Sequence, residues 1–154
     1  MIIRDAVPDD IADITGLWKE FMDFHKNLDP YFSRKESGHI QWASFMEKNM
    51  ADDQWKIIAA EDDFEIIGFC TAAVIKNPPM MELSEFGYIQ DMAVKESCRG
   101  RGIGKLMLAE AEKWFKSKQI SRIELNVLIS NQSARKFWKS QNFKEFTRRL
   151  VKNI

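Results

Sequence analysis

Arg99-Gly100-Arg101-Gly102-Ile103-Gly104 sets three glycines among bulky residues, with cations at 99, 101 and 105. Such a loop can fold its backbone N–H groups around phosphate oxygens, because glycine reaches positive φ and leaves no Cβ between backbone and ligand. An amphipathic run follows at once, so the free N–H groups and positive dipole end of a new helix point into the same space. The expected chemistry is the grip of a diphosphate by Arg99, Gly100, Arg101, Gly102, Ile103, Gly104 and Lys105. Two other glycine motifs do not fit. A dinucleotide loop, G-x-G-x-x-G, would need glycine where Lys105 or Met107 stands. A nucleotide P-loop would need glycine in place of Arg99 and a hydroxyl in place of Leu106 to meet Mg²⁺.

The elements that must carry this loop are legible in the apolar pattern. Residues 2–6 read as a strand, and a helix begins near Pro8, with Asp9 and Asp10 suiting its positive end. Ile11, Ile14, Trp18, Phe21 and Leu28 recur at helical spacing, and Asp29-Pro30 ends that helix. Residues 36–50 read as a second helix. Strands are expected at 55–61 and 64–75 around an Asp62-Asp63 turn, with a loop at Asn77-Pro78-Pro79. Residues 86–94 form the strand that enters the glycine loop. After the loop come a helix marked by Ile103, Leu106, Met107, Ala111 and Trp114, a strand at 123–128, a short helix at 133–140 and a last strand at 143–151. Strands interspersed with helices define an α/β sheet sandwiched by helices. The strand–helix–strand unit over 86–128 is expected to be a right-handed parallel crossover.

Composition narrows the function classes. At 154 residues the chain reads as a single domain spanning 1–154. Its 45% hydrophobic and 30% charged content is that of a globular protein, and its formal net charge is zero. Neutrality argues against a nucleic-acid partner, which would need a basic excess. No apolar run reaches membrane-spanning length and no signal peptide is evident, so no membrane partner and a cytoplasmic location are expected. Cys70 and Cys98 have no metal-ligand spacing, no metal site is expected, and two lone cysteines suit a reducing compartment. Cys98 lies beside the loop, but a nucleophilic thiol needs a base, and His25 and His39 are distant in sequence.

The segment R-x-x-G-x-G, placed between a strand ending in Val94 and a helix, resembles the coenzyme A loop of the GNAT N-acetyltransferase superfamily. A second stretch, Asn131-Gln132-Ser133-Ala134-Arg135-Lys136-Phe137-Trp138 with Asn142-Phe143, is similar to that family's N-x-x-A-x-x-[FL]-Y-x-x-x-G-F. The resemblance spans about residues 86–143. It implies a mixed, mostly antiparallel central sheet with a splayed parallel pair. It implies acetyl-CoA as co-substrate and transfer of its acetyl group, by direct attack in a ternary complex, to a primary amine of a small molecule or peptide. It places the thioester carbonyl and the pantetheine arm against Met92, Ala93 and Val94, the pyrophosphate on residues 99–105, and Asn131, Ser133 and Trp138 on the far side of the coenzyme arm.

Two departures from the pattern bear on turnover. Trp138 occupies the position usually held by a tyrosine that protonates the departing thiolate, and indole N–H donates without titrating usefully. Tyr31 and Tyr88 are the phenols that remain. Asn142 replaces a glycine, and asparagine is the next-best residue for a left-handed helix end. An amine attacks only when neutral, so a base must take its proton. Asp91 and Glu85 are the candidates; Asp91 also fits a carboxylate tied to a backbone bulge, and Glu82 and Glu85 also fit a solvated loop. Tyr31, Phe32 and Trp42 suit an acceptor pocket wall or core packing alike. The alternative to an enzyme is a non-catalytic acyl-CoA-binding sensor, and an open final strand edge suggests a homodimer.

Overall fold

The computed structural model describes residues 1–154. Five strands form one sheet in sequence order. They are β1 (Ile2–Asp5), β2 (Trp55–Asp62), β3 (Glu65–Lys76), β4 (Glu85–Val94) and β5 (Ile123–Leu125). Neighbours from β1 to β4 are antiparallel, and β4 with β5 is the one parallel pair. Helices α1 (Ile11–Leu28) and α2 (Gly38–Met50) cover one face. Helix α3 (Ile103–Ser117) covers the other, and α4 (Gln132–Ser140) follows β5.

Strand alternation divides the core in two. Ile58, Ala60, Cys70, Ala72, Val74 and Ile89 meet Met107, Ala111 and Phe115 of α3. Ile57, Ala59 and Phe69 meet Ile14, Trp18, Trp42 and Met46 on the α1/α2 side. Gly87 permits the α3 contact: a Cβ there would lie 2.6 Å from the Phe115 ring. The start of α1 is tied to the sheet by Arg4, whose guanidinium donates to Asp10 at 2.6 and 2.9 Å and to Glu61 at 2.7 Å.

β4 carries one extra residue. Thr71 pairs with Asp91 but Ala72 pairs with Ile89, so Gln90 is bulged out. The bulge reverses the pleat. Gly87 and Ile89 face α3 before it, whereas Met92 and Val94 face α3 after it. Tyr88 and Asp91 thereby share the α1/α2 face, opposite Ala73 and Thr71.

Several element boundaries differ from expectation. The β2–β3 turn is Asp63-Phe64, both at positive φ, the conformation of a two-residue hairpin. β5 stops at Leu125 because Asn126–Leu128 diverge from β4. The strand expected at 143–151 is absent: residues 143–154 are irregular and, after Phe143, exposed. Their apolar residues, Phe146, Leu150 and Val151, do not alternate with period two, so no single face could be buried by pairing.

Candidate active site at the splay of β4 and β5

β5 hydrogen-bonds β4 only alongside Gly87–Ile89. Beyond the bulge, the edge of β4 toward β5 has no strand partner. The Asp91 N–H turns toward β3 and gives its hydrogen to Thr71 Oγ1 at 3.0 Å, and the Lys95 N–H gives to Ile67 O at 2.8 Å. By alternation, the backbone groups of Met92 and Val94 face the cleft. The Val94 carbonyl is reached there by Arg99 Nε at 3.1 Å. A strand edge with open donors and acceptors can pair with an extended ligand, and a cleft N–H can stabilise a developing oxyanion.

The glycine loop closes the lower end of this cleft. Gly100 and Gly102 sit at φ +80° and +79°, which residues with a Cβ rarely adopt, and a Cβ on either would point into open space. Gly102 caps α3, and the first intrahelical bond runs from Leu106 N–H to Gly102 O. The N–H groups of Ile103, Gly104 and Lys105 therefore have no acceptor in the chain. Gly104 lets Phe137 of α4 approach, 3.3 Å from where its Cβ would be. Lys105 is exposed and makes no ion pair, whereas Arg101 is held by Asp62 at 2.7 Å, with its pKa raised by that partner. The open N–H groups at the start of α3 thus lie next in sequence to the unpaired Lys105, while Arg99 turns its Nε to the Val94 carbonyl. Arg101 is spent on pinning the loop to the β2–β3 hairpin, helped by a Lys95–Glu65 ion pair.

Asn131 is buried and caps α4, its Oδ1 accepting from Ala134 N–H at 3.1 Å and Ser133 Oγ at 3.2 Å. These are local structural duties, and they leave Nδ2 as the group Asn131 can offer a ligand. Trp138 packs edge-on against Phe137 and Phe143 and against the α3-side core. Asn142 takes φ +66° and lets Phe143 N–H close on the Trp138 carbonyl, so the helix end that glycine would make is preserved.

On the other face of the sheet, burial pushes the Asp91 carboxyl up to about 6, partly offset by the indole N–H groups of Trp42 and Trp18. Tyr88 accepts a hydrogen bond from Asn126 Nδ2 at 2.9 Å, and burial raises its phenol, which stays protonated at neutral pH. Glu85 is not brought to this group. It lies at the opposite end of β4, six residues or about 20 Å from Asp91, with its side chain on the α3 face. The sequence offers a bulge at Asp91 as one of two readings and Trp42 as pocket wall or core; Asn126 and the place of Trp18 beside Trp42 are defined by contacts between distant segments and leave no local signal.

Neither histidine joins the site: His25 bonds the Phe21 carbonyl among Phe21, Phe24 and Phe32, and His39 bonds Glu36 O. Cys98 packs toward the α3 side and Cys70 is fully buried with its thiol pushed up. No group of three or more metal-ligating side chains occurs, and no helix is long and apolar enough to cross a membrane. A shallow recess between the start of α1 and α2, lined by Thr15, His39 and Glu47, lies apart from the cleft.

The helix-flanked sheet with one splayed parallel pair, opening onto a glycine-capped helix, is the arrangement that the sequence resemblance implies. The pattern of the Acetyltransferase (GNAT) family matches residues 15–143, and the chain belongs to that family. It is 28% identical over 146 residues to an uncharacterized N-acetyltransferase of Methanocaldococcus jannaschii, covering 93% of this chain. The match spans 60% of that relative's length. Among solved structures, a tetramutant protein of Bacillus halodurans superposes with a TM-score of 0.90 at 24% identity, covering 100% of both chains. A predicted acetyltransferase of Clostridium acetobutylicum with acetyl-CoA gives 0.80 at 22%, covering 99% and 95%. The aminoglycoside N-acetyltransferase AAC(6')-Iy in complex with CoA gives 0.77 at 18%, covering 99% and 98%.

Proposed function

We propose that residues 1–154 act as one N-acetyltransferase domain that moves an acetyl group from acetyl-CoA to a primary amine of a small molecule or peptide, by direct attack in a ternary complex. The observation that carries the reading is the open row of N–H groups at the start of α3 beside an unpaired β4 edge. The acetyl thioester is the acyl donor. Arg99, Gly100, Gly102, Ile103, Gly104 and Lys105 hold the diphosphate through backbone N–H groups and charge, and Arg101 keeps the loop in place. Met92 and Val94 supply backbone partners along the arm, with Ala93 between them turned toward β3, and an N–H facing the cleft stabilises negative charge on the thioester oxygen. Asn131 and Trp138 bound the opposite wall, with Ser133 ordering Asn131.

A lysine-like amine has a pKa near 10 and must lose a proton before or during attack. Asp91, at about 6, is ionised at neutral pH yet binds a proton more readily than a solvated aspartate, which suits a general base. Tyr88 keeps its own hydrogen while accepting from Asn126, so it can return a proton to the thiolate. The free thiols of Cys70 and Cys98 fit a reducing, cytoplasmic setting. The exposed apolar segment with Phe146, Leu150 and Val151 fits a homodimer contact; sedimentation showing only an 18 kDa species would remove that element.

Because a structural neighbour acts on aminoglycosides, these join polyamines, amino acids and peptides in the panel that tests the proposal. Thiol release from acetyl-CoA, dependent on one class of amine, is the expected result. Tight CoA binding with no release by any amine would favour a non-catalytic sensor, the reading that the absence of a tyrosine at Trp138 keeps alive.

A further inference from the structure

Trp18 and Trp42 pack on the α1/α2 face of the sheet, the face that also carries Asp91. Trp18 and Trp42 stack with centroids 5.0 Å apart and planes 15° from parallel, and Phe69 meets Trp42 edge-on at 5.8 Å. Trp42 is 8% exposed, and its Nε1 is buried with no hydrogen-bond partner. An indole N–H can only donate, and a buried donor without an acceptor is costly enough that native proteins seldom keep one. The acceptor within reach is Asp91, which both indole N–H groups approach without Trp42 completing a bond. Asp91 is itself held at the backbone by Thr71 Oγ1, beside the bulge, so its carboxylate is the part free to move.

We propose that Trp42, seconded by Trp18, is a positioning residue for acetyl transfer: its N–H closes on the Asp91 carboxylate and fixes the orientation and charge state in which that carboxylate takes the amine's proton. The inference rests on Asp91 being the base. The stacked pair is held rigid by Phe69, so the donor is pre-aimed and no rotamer search precedes the bond. The proton passes from the amine nitrogen to the outer oxygen of Asp91, and the inner oxygen stays with the indole.

The surroundings leave few competing influences. From β4 and β3, the titratable groups that feel Asp91 are Tyr88 and Cys70, and burial pushes both upward, out of the acid range. Glu124 of β5 and Arg149 act on Tyr88, and no basic side chain contributes to the state of Asp91. From α1 and α2 the facing groups are the indoles, which do not titrate. α3 lies on the opposite face of the sheet.

The test is a ¹³C-carboxyl NMR titration of Asp91 in the parent, Trp42→Phe and Trp18→Phe, beside the pH profile of kcat/KM. Loss of one hydrogen bond to a charged group is expected to move the Asp91 titration in Trp42→Phe upward by about one pH unit. The acid limb of kcat/KM moves with it and the KM for acetyl-CoA is unchanged, while the thermal midpoint falls because the smaller ring leaves a void in the α1/α2-side core. Trp18→Phe shifts both readouts in the same direction by less, and decides the matter if Trp42→Phe fails to fold. An unmoved titration, or a moved titration with an unmoved kinetic limb, overturns the inference and leaves acetyl transfer standing. A protein that titrates as described but acetylates no amine overturns the proposed function instead.

Discussion

Replacing Asp91 by asparagine should separate catalysis from stability, in opposite directions. An aspartate titrates near 3.9 in an unfolded chain and near 6 here, so the folded state binds its proton more tightly. The favourable contribution is complete below the unfolded value and is lost as pH rises through 6. Above that, holding the charge in place costs about 3 kcal/mol, two pH units at 1.36 kcal/mol each. An amide avoids that cost but loses solvent itself, leaving a net gain of roughly 2 kcal/mol at pH 7.5. For a chain of this size the gain is about 4–8 °C in thermal midpoint. At pH 3.5, where the folded parent carboxyl is protonated and the unfolded one mostly so, the advantage should vanish and turn slightly against the variant, by under about 1 kcal/mol. Removing the base should meanwhile lower kcat/KM by about 10²–10⁴ at neutral pH. The assay pairs thermal melts across pH 3.5–8 with thiol release using the best amine of the panel. A variant within threefold of parental activity, or a melting gap independent of pH, would refute the assignment of Asp91 as a buried base.

Two further substitutions test the scaffold. Phe64 is 97% exposed at φ +64° in the β2–β3 turn, a conformation that suits glycine. Phe64→Gly should stabilise the protein by about 1 kcal/mol in urea denaturation, and a loss of stability would contradict the turn geometry. Gly87→Ala forces a methyl into the Phe115 ring and should cost about 1–3 kcal/mol, read in the same experiment; a neutral outcome would mean α3 does not pack this closely on β4.

Local signals in the chain were strong where chemistry and backbone demands coincide. Gly100, Gly102 and the apolar spacing of Ile103, Met107 and Ala111 announce the loop and α3, because φ and periodicity are properties of neighbouring residues. Asn142 likewise takes the left-handed conformation that its residue type allows. What stayed hidden depends on distant segments meeting. Gln90 bulges because β3 and β4 register slips beside Thr71, and that slip decides which face Asp91 occupies. Arg101 belongs to the loop by spacing, yet Asp62 captures it across the hairpin. Glu85 shares a strand with Asp91, but strand length and pleat keep it away. The 143–151 segment carries β-forming residues, but no strand of the sheet pairs with it.

Acetyl transfer as proposed depends on the N–H groups between Gly100 and Lys105 binding the diphosphate of acetyl-CoA. Calorimetric titration of acetyl-CoA into the parent and into a folded Gly102→Glu variant tests it most directly, since a side chain at 102 enters open space beside these N–H groups and its carboxylate would repel the diphosphate. The variant should lose at least tenfold in affinity, which is about 1.4 kcal/mol. Equal affinity in the two proteins would contradict it.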